Sequence, residues 1–207
     1  DRARVIATGV EAASFEATLR DRSDASPADG PVIVYAGGLA PFHGIDLLLR
    51  SFREVLRARP EATLWILTKS SFAPHEALAD SLAVRERVRL IDAEFRELPG
   101  LLAQADVAVN PRVECTGLPY KLLNYMAAGL PIVSFEGSAK TLEHRGSAWL
   151  VENGSIPGFA SGVLRLLTDR TLAARLGEAA REKILADNRW EDSARKLIEF
   201  YREVLNS

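Results

Sequence analysis

Apolar residues fall along this chain in two rhythms. Short, nearly uninterrupted runs at Val32–Ala36, Thr63–Leu67, Val88–Ile91, Asp106–Val109, Ile132–Phe135 and Ala148–Val151 read as strands buried on both faces. Between them apolar positions recur at helical spacing, as in Ile45, Leu48, Leu49, Phe52, Val55 and Leu56 after His43. Further helices are expected near His75–Ala83, over Leu98–Gln104, from Pro119 and over Ala139–His144. Three more reach the end, marked by Phe159 to Leu167, by Leu172 to Ala180, and by Trp190 to Tyr201. Ahead of all these, Arg4–Ile6 suggests a short strand, Thr8–Glu11 a turn and Asp21–Gly30 a polar loop.

Strands alternating with amphipathic helices specify an α/β fold with a doubly wound parallel sheet. The crossover rule leaves the Rossmann-like strand order 3-2-1-4-5-6. A length of 207 residues suits one domain, with an opening segment and loop (1–30), a sheet core (31–151) and C-terminal helices (156–207). In this order strands one and four are central neighbours, and ligands bind in the crevice beyond their carboxyl ends.

The two least ordinary loops fall at those ends: Gly37-Gly38 to His43-Gly44, and Asn110 to Gly117. Adjacent glycines admit close backbone approach by a ligand. Pro119 suits a first helical position, leaving the N–H groups of Leu118 and the first turn facing outward. Lys121 and Asn124 share a face near that end. Two helix N-termini, from His43 and from Pro119, would converge on one crevice and suit a diphosphate. The plainer alternative is an ordinary crossover helix with Lys121 and Asn124 as solvated surface.

Composition narrows the chemistry. A formal charge of -2 gives no electrostatic case for nucleic acid as a partner. Cys115 is the one cysteine, which excludes a disulfide within the chain and a multi-cysteine zinc site, and fits a reducing, cytoplasmic setting. His43, His75 and His144 stand far apart, so no metal is expected. The glycine fingerprint of dehydrogenases, the P-loop and the hydrolase serine elbow are all missing. No run is long enough to cross a bilayer. The chain starts at Asp1 rather than Met, as expected of part of a longer protein.

Several segments in order resemble one family. Val5 to Glu11 resembles its "viPNGvD", and Gly37-Gly38-Leu39 with His43-Gly44-Ile45-Asp46 resembles "GRL…KGxD". Gly117-Leu118-Pro119, Lys121 to Asn124 and Tyr125 to Pro131 resemble "GxPxKLLEYMAAGLP", and Trp190, Glu191 and Tyr201 the closing "sWe…Y". The chain is thus similar to the C-terminal, donor-binding domain of group one (family four) GT-B glycosyltransferases. The resemblance implies a retaining, metal-independent transferase of hexosyl type, needing no cofactor. Its donor would be a nucleotide-diphosphate sugar, and its acceptor a glycan, a lipid or a small molecule. An N-terminal acceptor domain, absent from this chain, would complete the enzyme and could associate peripherally with membranes. The isolated domain would be nearly inactive.

The resemblance also implies donor contacts from Gly37, Gly38, His43, Gly44, Thr116, Gly117, Leu118, Lys121 and Asn124, with Glu114 catalytic on the donor sugar. Counting by the commonest motif spacing lands on Thr116 instead of Glu114, but a carboxylate is the chemical match. The departures fall on working positions. The family's phosphate-clamping Arg and Lys are Gly38 and His43 here, and its ribose-binding Glu is Asn124. Histidine has a reference pKa of about 6.5, so a His43 clamp would bind better as pH falls from about 8 toward 6. These departures keep open a non-catalytic, transferase-like module with a degenerate donor site. A GT-B epimerase fits the closing motifs less well.

Overall fold

The computed structural model describes residues 4, 6, 8–20 and 30–205. Along them lie α1 (Ala12–Arg20), β1 (Val32–Ala36), α2 (Ile45–Ala58), β2 (Thr63–Leu67), α3 (Ala73–Ser81), β3 (Val88–Ile91) and α4 (Leu98–Ala103). Then come β4 (Val107–Asn110), α5 (Tyr120–Ala127), β5 (Ile132–Phe135), β6 (Trp149–Val151), α6 (Ile156–Thr168), α7 (Arg170–Asp187) and α8 (Trp190–Leu205). The sheet has the order β3-β2-β1-β4-β5-β6, with every neighbouring pair parallel. Strand β1 sits between β2 and β4, as the apolar pattern requires.

Successive residues of a strand point to opposite faces. Ile33 and Tyr35 of β1, with Leu64 and Ile66 of β2, therefore enter one core with Leu49 and Phe52 of α2 and Phe159 and Val163 of α6. Val32, Val34, Trp65 and Leu67 enter the other, with Leu122 and Met126 of α5 and Ile184 of α7. Burying each large apolar side chain contributes roughly 1.5–3 kcal/mol, so strands covered on both faces are mostly apolar, and the polar residues Asn110 and Ser134 that β4 and β5 bury are hydrogen-bonded. The row is fixed at its foot by Asp106, whose carboxylate accepts the Val32 N–H at 2.8 Å and pairs with Arg170 at 2.8 Å.

Three expectations are corrected. Helix α2 begins at Ile45 rather than His43, because Pro41–His43 close a 3-10 turn and Gly44, at φ 74°, reverses the chain. The expected helix over Ala139–His144 is instead a 3-10 turn at Glu136–Ser138 followed by turns. Lys140 and Arg145 there take φ of 54° and 59°, which a right-handed helix cannot hold. Helix α1 was not expected from its few apolar positions, yet Ala12 and Phe15 are buried. Of the proposed Arg4–Ile6 strand, Val5 lies outside the described residues and Arg4 and Ile6 carry no strand. The proposed loop at residues 21–29 also lies outside them.

Helix α8 leaves much of its apolar stripe uncovered. Trp190, Leu197, Ile198 and Tyr201 are exposed, Tyr201 to 58%, so its apolar stripe is not spent on this sheet. Its start is tied to the opening segment: Val10 N–H donates to Asn188 O at 2.7 Å, and Asn188 Nδ2 to Thr8 O at 2.8 Å.

Gly44 controls how the β1 and β4 loops meet. A Cβ there would run into the Pro111 carbonyl, in addition to the strained backbone. Strain of this kind costs about 1–3 kcal/mol. Gly44→Ala should lower the unfolding free energy by at least that much, and with it the urea midpoint followed by circular dichroism. An unchanged midpoint would mean the loops are not held by this contact.

Candidate functional site

At the carboxyl ends of β3, β2, β1 and β4 lies a cavity of about 880 Å³. Its walls come from the turn after β1, the loops after β2 and β3, the loop after β4 and the start of α5. This is the crevice the strand order predicts. Two tyrosines from opposite layers secure its floor. Tyr125 of α5 accepts the Ala36 N–H at 2.7 Å, and Tyr35 of β1 donates to the Gly38 carbonyl at 2.6 Å. Gly137 N–H donates to Asn153 Oδ1 at 2.9 Å, and buried Asn110 donates to Ser134 at 2.9 Å and Ser138 at 2.8 Å. The Ser138 hydroxyl in turn bonds the Arg112 carbonyl, which pins the loop after β4.

The sequence-predicted residues divide in two. Gly37, Gly38, His43, Leu118, Lys121 and Asn124 line the cavity. Gly44 is buried behind it, and Glu114, Thr116 and Gly117 are exposed on the loop beside Cys115, without lining it. Glu114 meets its neighbours through its backbone, its carbonyl accepting from Arg112 Nε at 2.7 Å. Pro119 caps α5 rather than opening it: its carbonyl accepts the Leu122 N–H at 2.9 Å, no side chain caps the end, and the helix starts at Tyr120.

Gly38 and His43 are matched in shape. A Cβ at Gly38 would stand 3.2 Å from His43 Nε2, so the ring occupies the space a side chain at 38 would need. Burial, with Lys121 and Arg112 nearby, lowers the His43 pKa to about 4. The ring is therefore neutral at pH 7, and His43 Nδ1 is buried without a hydrogen-bond partner among the described residues. The expectation of a partly charged His43 is thereby corrected: a histidine that is partly buried, and has two cations beside it, gives up its own proton.

The cations are Lys121 and Arg112. Lys121 Nζ donates to Tyr35 Oη at 2.9 Å and lies 4.1 Å from the centre of the same ring. Burial first, then Arg112, lowers its pKa to about 7. Arg112 stacks over exposed Phe42 at 5.0 Å. Among the described residues no carboxylate pairs with either cation. Two unneutralised cations at one end of a cavity are suited to a polyanion. The other end, over β2 and β3, holds Lys69 and Glu94 paired at 2.5 Å beside Leu67, Leu98 and exposed Phe95.

Arg112, Tyr35, Tyr120 and the Lys69–Glu94 pair were missed from sequence. Arg112 had one legible signal, its place just past the strand that ends at the crevice. No group of metal-binding side chains occurs among the described residues, and no helix there is long and apolar enough to cross a membrane.

Residues 30–169 match the model of the family "Glycosyl transferases group 1". The chain belongs to that family. A Mycobacterium tuberculosis protein named "GDP-mannose-dependent alpha-(1-6)-phosphatidylinositol monomannoside mannosyltransferase" is 30% identical over 182 residues, covering 83% of this chain and 47% of its own length. Sucrose-phosphate synthase from Thermosynechococcus elongatus superposes with a TM-score of 0.83 at 21% identity, over 98% of this chain and 53% of that one. Anabaena Alr3699/HepE, solved with UDP and glucose, superposes with a TM-score of 0.80 at 16% identity, over 96% of this chain and 56% of that one. The chain thus spans about half the length of the relatives it matches, and its fold is the Rossmann-like fold of GT-B transferases.

The lysine makes a prediction that needs no ligand. An unfolded chain keeps the Lys121 proton up to its ordinary 10.5, whereas the folded chain releases it near 7. Between those values the unfolded state binds more protons, so stability rises with pH, and the cost of the buried charge is fully present below 7. Lys121→Met should therefore unfold at higher urea than wild type at pH 6, with the gap narrowing toward pH 10. A gap that is constant with pH would show that the ammonium is not buried at its cost.

Proposed function

We propose that this chain is the donor-binding half of a retaining, metal-independent glycosyltransferase, and that the cavity takes a nucleotide-diphosphate sugar. The observation that carries this is the pair of cations without carboxylate partners, Lys121 and Arg112, beside the glycine turn after β1. The diphosphate would lie against them and the open start of α5, where charge developing on the leaving group is stabilised electrostatically. His43 would add a hydrogen bond rather than a charge. The nucleoside would extend over β1 toward β2 and β3, with Asn124 reaching a ribose hydroxyl.

Glu114, Thr116 and Gly117, at the rim beside Cys115 and Leu118, would meet the sugar, and Glu114 would be the carboxylate acting on it. An acceptor domain would close over this face, and the exposed stripe of α8 supports a contact of that kind. GDP-mannose and UDP-glucose are the donors to try first, given the mycobacterial relative and the UDP-bound neighbour. A second reading, a module whose donor site has decayed, draws on Gly38 and the neutral His43.

Calorimetric titration of the chain with GDP, UDP and their sugars separates the two. A charge-assisted bond is worth about 1.5–3 kcal/mol, so Lys121→Met and Arg112→Ala should each weaken binding about tenfold or more at pH 6.5. A bound diphosphate favours protonated Lys121, so affinity should rise as pH falls from about 8 through 7 and level off below about 6. His43→Ala should leave that profile in place. Glu114→Gln should weaken the nucleotide sugar more than the bare diphosphate. Absence of binding by any nucleotide would leave the decayed-site reading standing.

A further inference from the structure

The Tyr35 ring is fully buried in the core shared with α2 and α6, a role phenylalanine would fill equally well. Its hydroxyl needs a separate explanation. That hydroxyl donates to the Gly38 carbonyl at 2.6 Å and accepts from Lys121 Nζ at 2.9 Å, so one oxygen joins the turn after β1 to the start of α5. The ammonium also lies 4.1 Å from the ring centre. Gly37 makes room for it. At φ 142° it carries no side chain, and a Cβ there would stand 3.2 Å from both Cε and Nζ of Lys121 and 3.3 Å from Tyr35 Oη.

We propose that Tyr35 is a positioning residue for the donor site, its hydroxyl holding the Lys121 ammonium at the turn where the diphosphate is to bind. A lysine stem is flexible, and an ammonium with a repelling neighbour and no carboxylate would otherwise turn toward water. The titratable groups around it are Tyr35 from β1, His43 from the turn before α2, and Arg112 and Cys115 from the loop after β4. Burial, opposed by Arg112, drives the Tyr35 pKa up, so its hydroxyl stays protonated and keeps donating to Gly38. Burial penalises the ammonium and Arg112 repels it, while Cys115 favours the charged form and the hydroxyl and the ring face hold it where it stands. The ligand's part in this rests on the donor-site reading; the seating of Lys121 does not.

Two measurements test it, one without ligand. Titration of the lysine Cε resonances by NMR should place one wild-type lysine near pH 7. Tyr35→Phe should lower that midpoint, because the ammonium loses its acceptor. Gly37→Ala, whose Cβ crowds both the ammonium and the Tyr35 hydroxyl, should displace the flexible lysine stem from the buried tyrosine and raise the midpoint toward the ordinary lysine range. Calorimetry with GDP and UDP at pH 6.5 should show Tyr35→Phe weakening binding about tenfold, with little further loss when added to Lys121→Met. An unshifted midpoint in Tyr35→Phe, or losses that simply add, would overturn the positioning role. Wild type that binds neither nucleotide would overturn the donor-site reading instead, and the lysine midpoints would still decide whether Tyr35 seats Lys121.

Discussion

Strand β1 has to be buried on both faces and paired along both edges, and the remainder of the molecule follows from meeting that demand. Its neighbours are β2 on one side and β4 on the other, reached by crossovers on opposite layers. The chain must therefore part above the end of β1, and the gap it leaves cannot be filled by either layer. Within that gap Gly44 is closely approached by the Pro111 backbone, Gly37 by the Lys121 side chain and Gly38 by the His43 ring. The cavity is a by-product of strand order, and the side chains that enter it set its chemistry.

Much of this was legible before any coordinates. Nearly uninterrupted apolar runs located every strand of the sheet to within a residue, since strands covered on both faces are mostly apolar. Helix α2 showed itself by its stripe, whereas α1 did not, because nine residues with few apolar positions leave no period to detect. The false helix over Ala139–His144 has a different cause. Its composition is permissive, and only the left-handed Lys140 and Arg145 rule it out.

The site was legible as a place but not as a charge distribution. Motif spacing led to Lys121 and Asn124, which do line the cavity. It also led to a partly charged His43, and there it failed for an electrostatic reason. Protonation depends on burial first and then on neighbours contributed by other elements, here Lys121 and Arg112. Arg112 itself lies outside the motifs that carried the family resemblance. Glu114 shows the opposite limit: a residue matched by type stands exposed at the rim, where only its carbonyl meets Arg112. The alternation of buried tyrosines and unneutralised cations also explains why this end of the sheet is held at some expense to stability, as binding sites commonly are.

The hydrogen-bonded set beneath the loop after β4 has a consequence of another kind. Asn110, Ser134 and Ser138 are each fully buried, and through Ser138 they grip the main chain of Arg112. The peptide at the mouth of the cavity is thereby held by buried hydrogen bonds before anything arrives, while the guanidinium beyond it stacks on Phe42 and bonds one carbonyl. Ordering a loop on association draws on the same free energy that holds a ligand, and immobilising a long side chain costs only about 0.5–1.5 kcal/mol. A guest entering here would thus spend little of its attraction on arranging its host, and nearly all of its adaptation would be confined to the rotamers of one arginine.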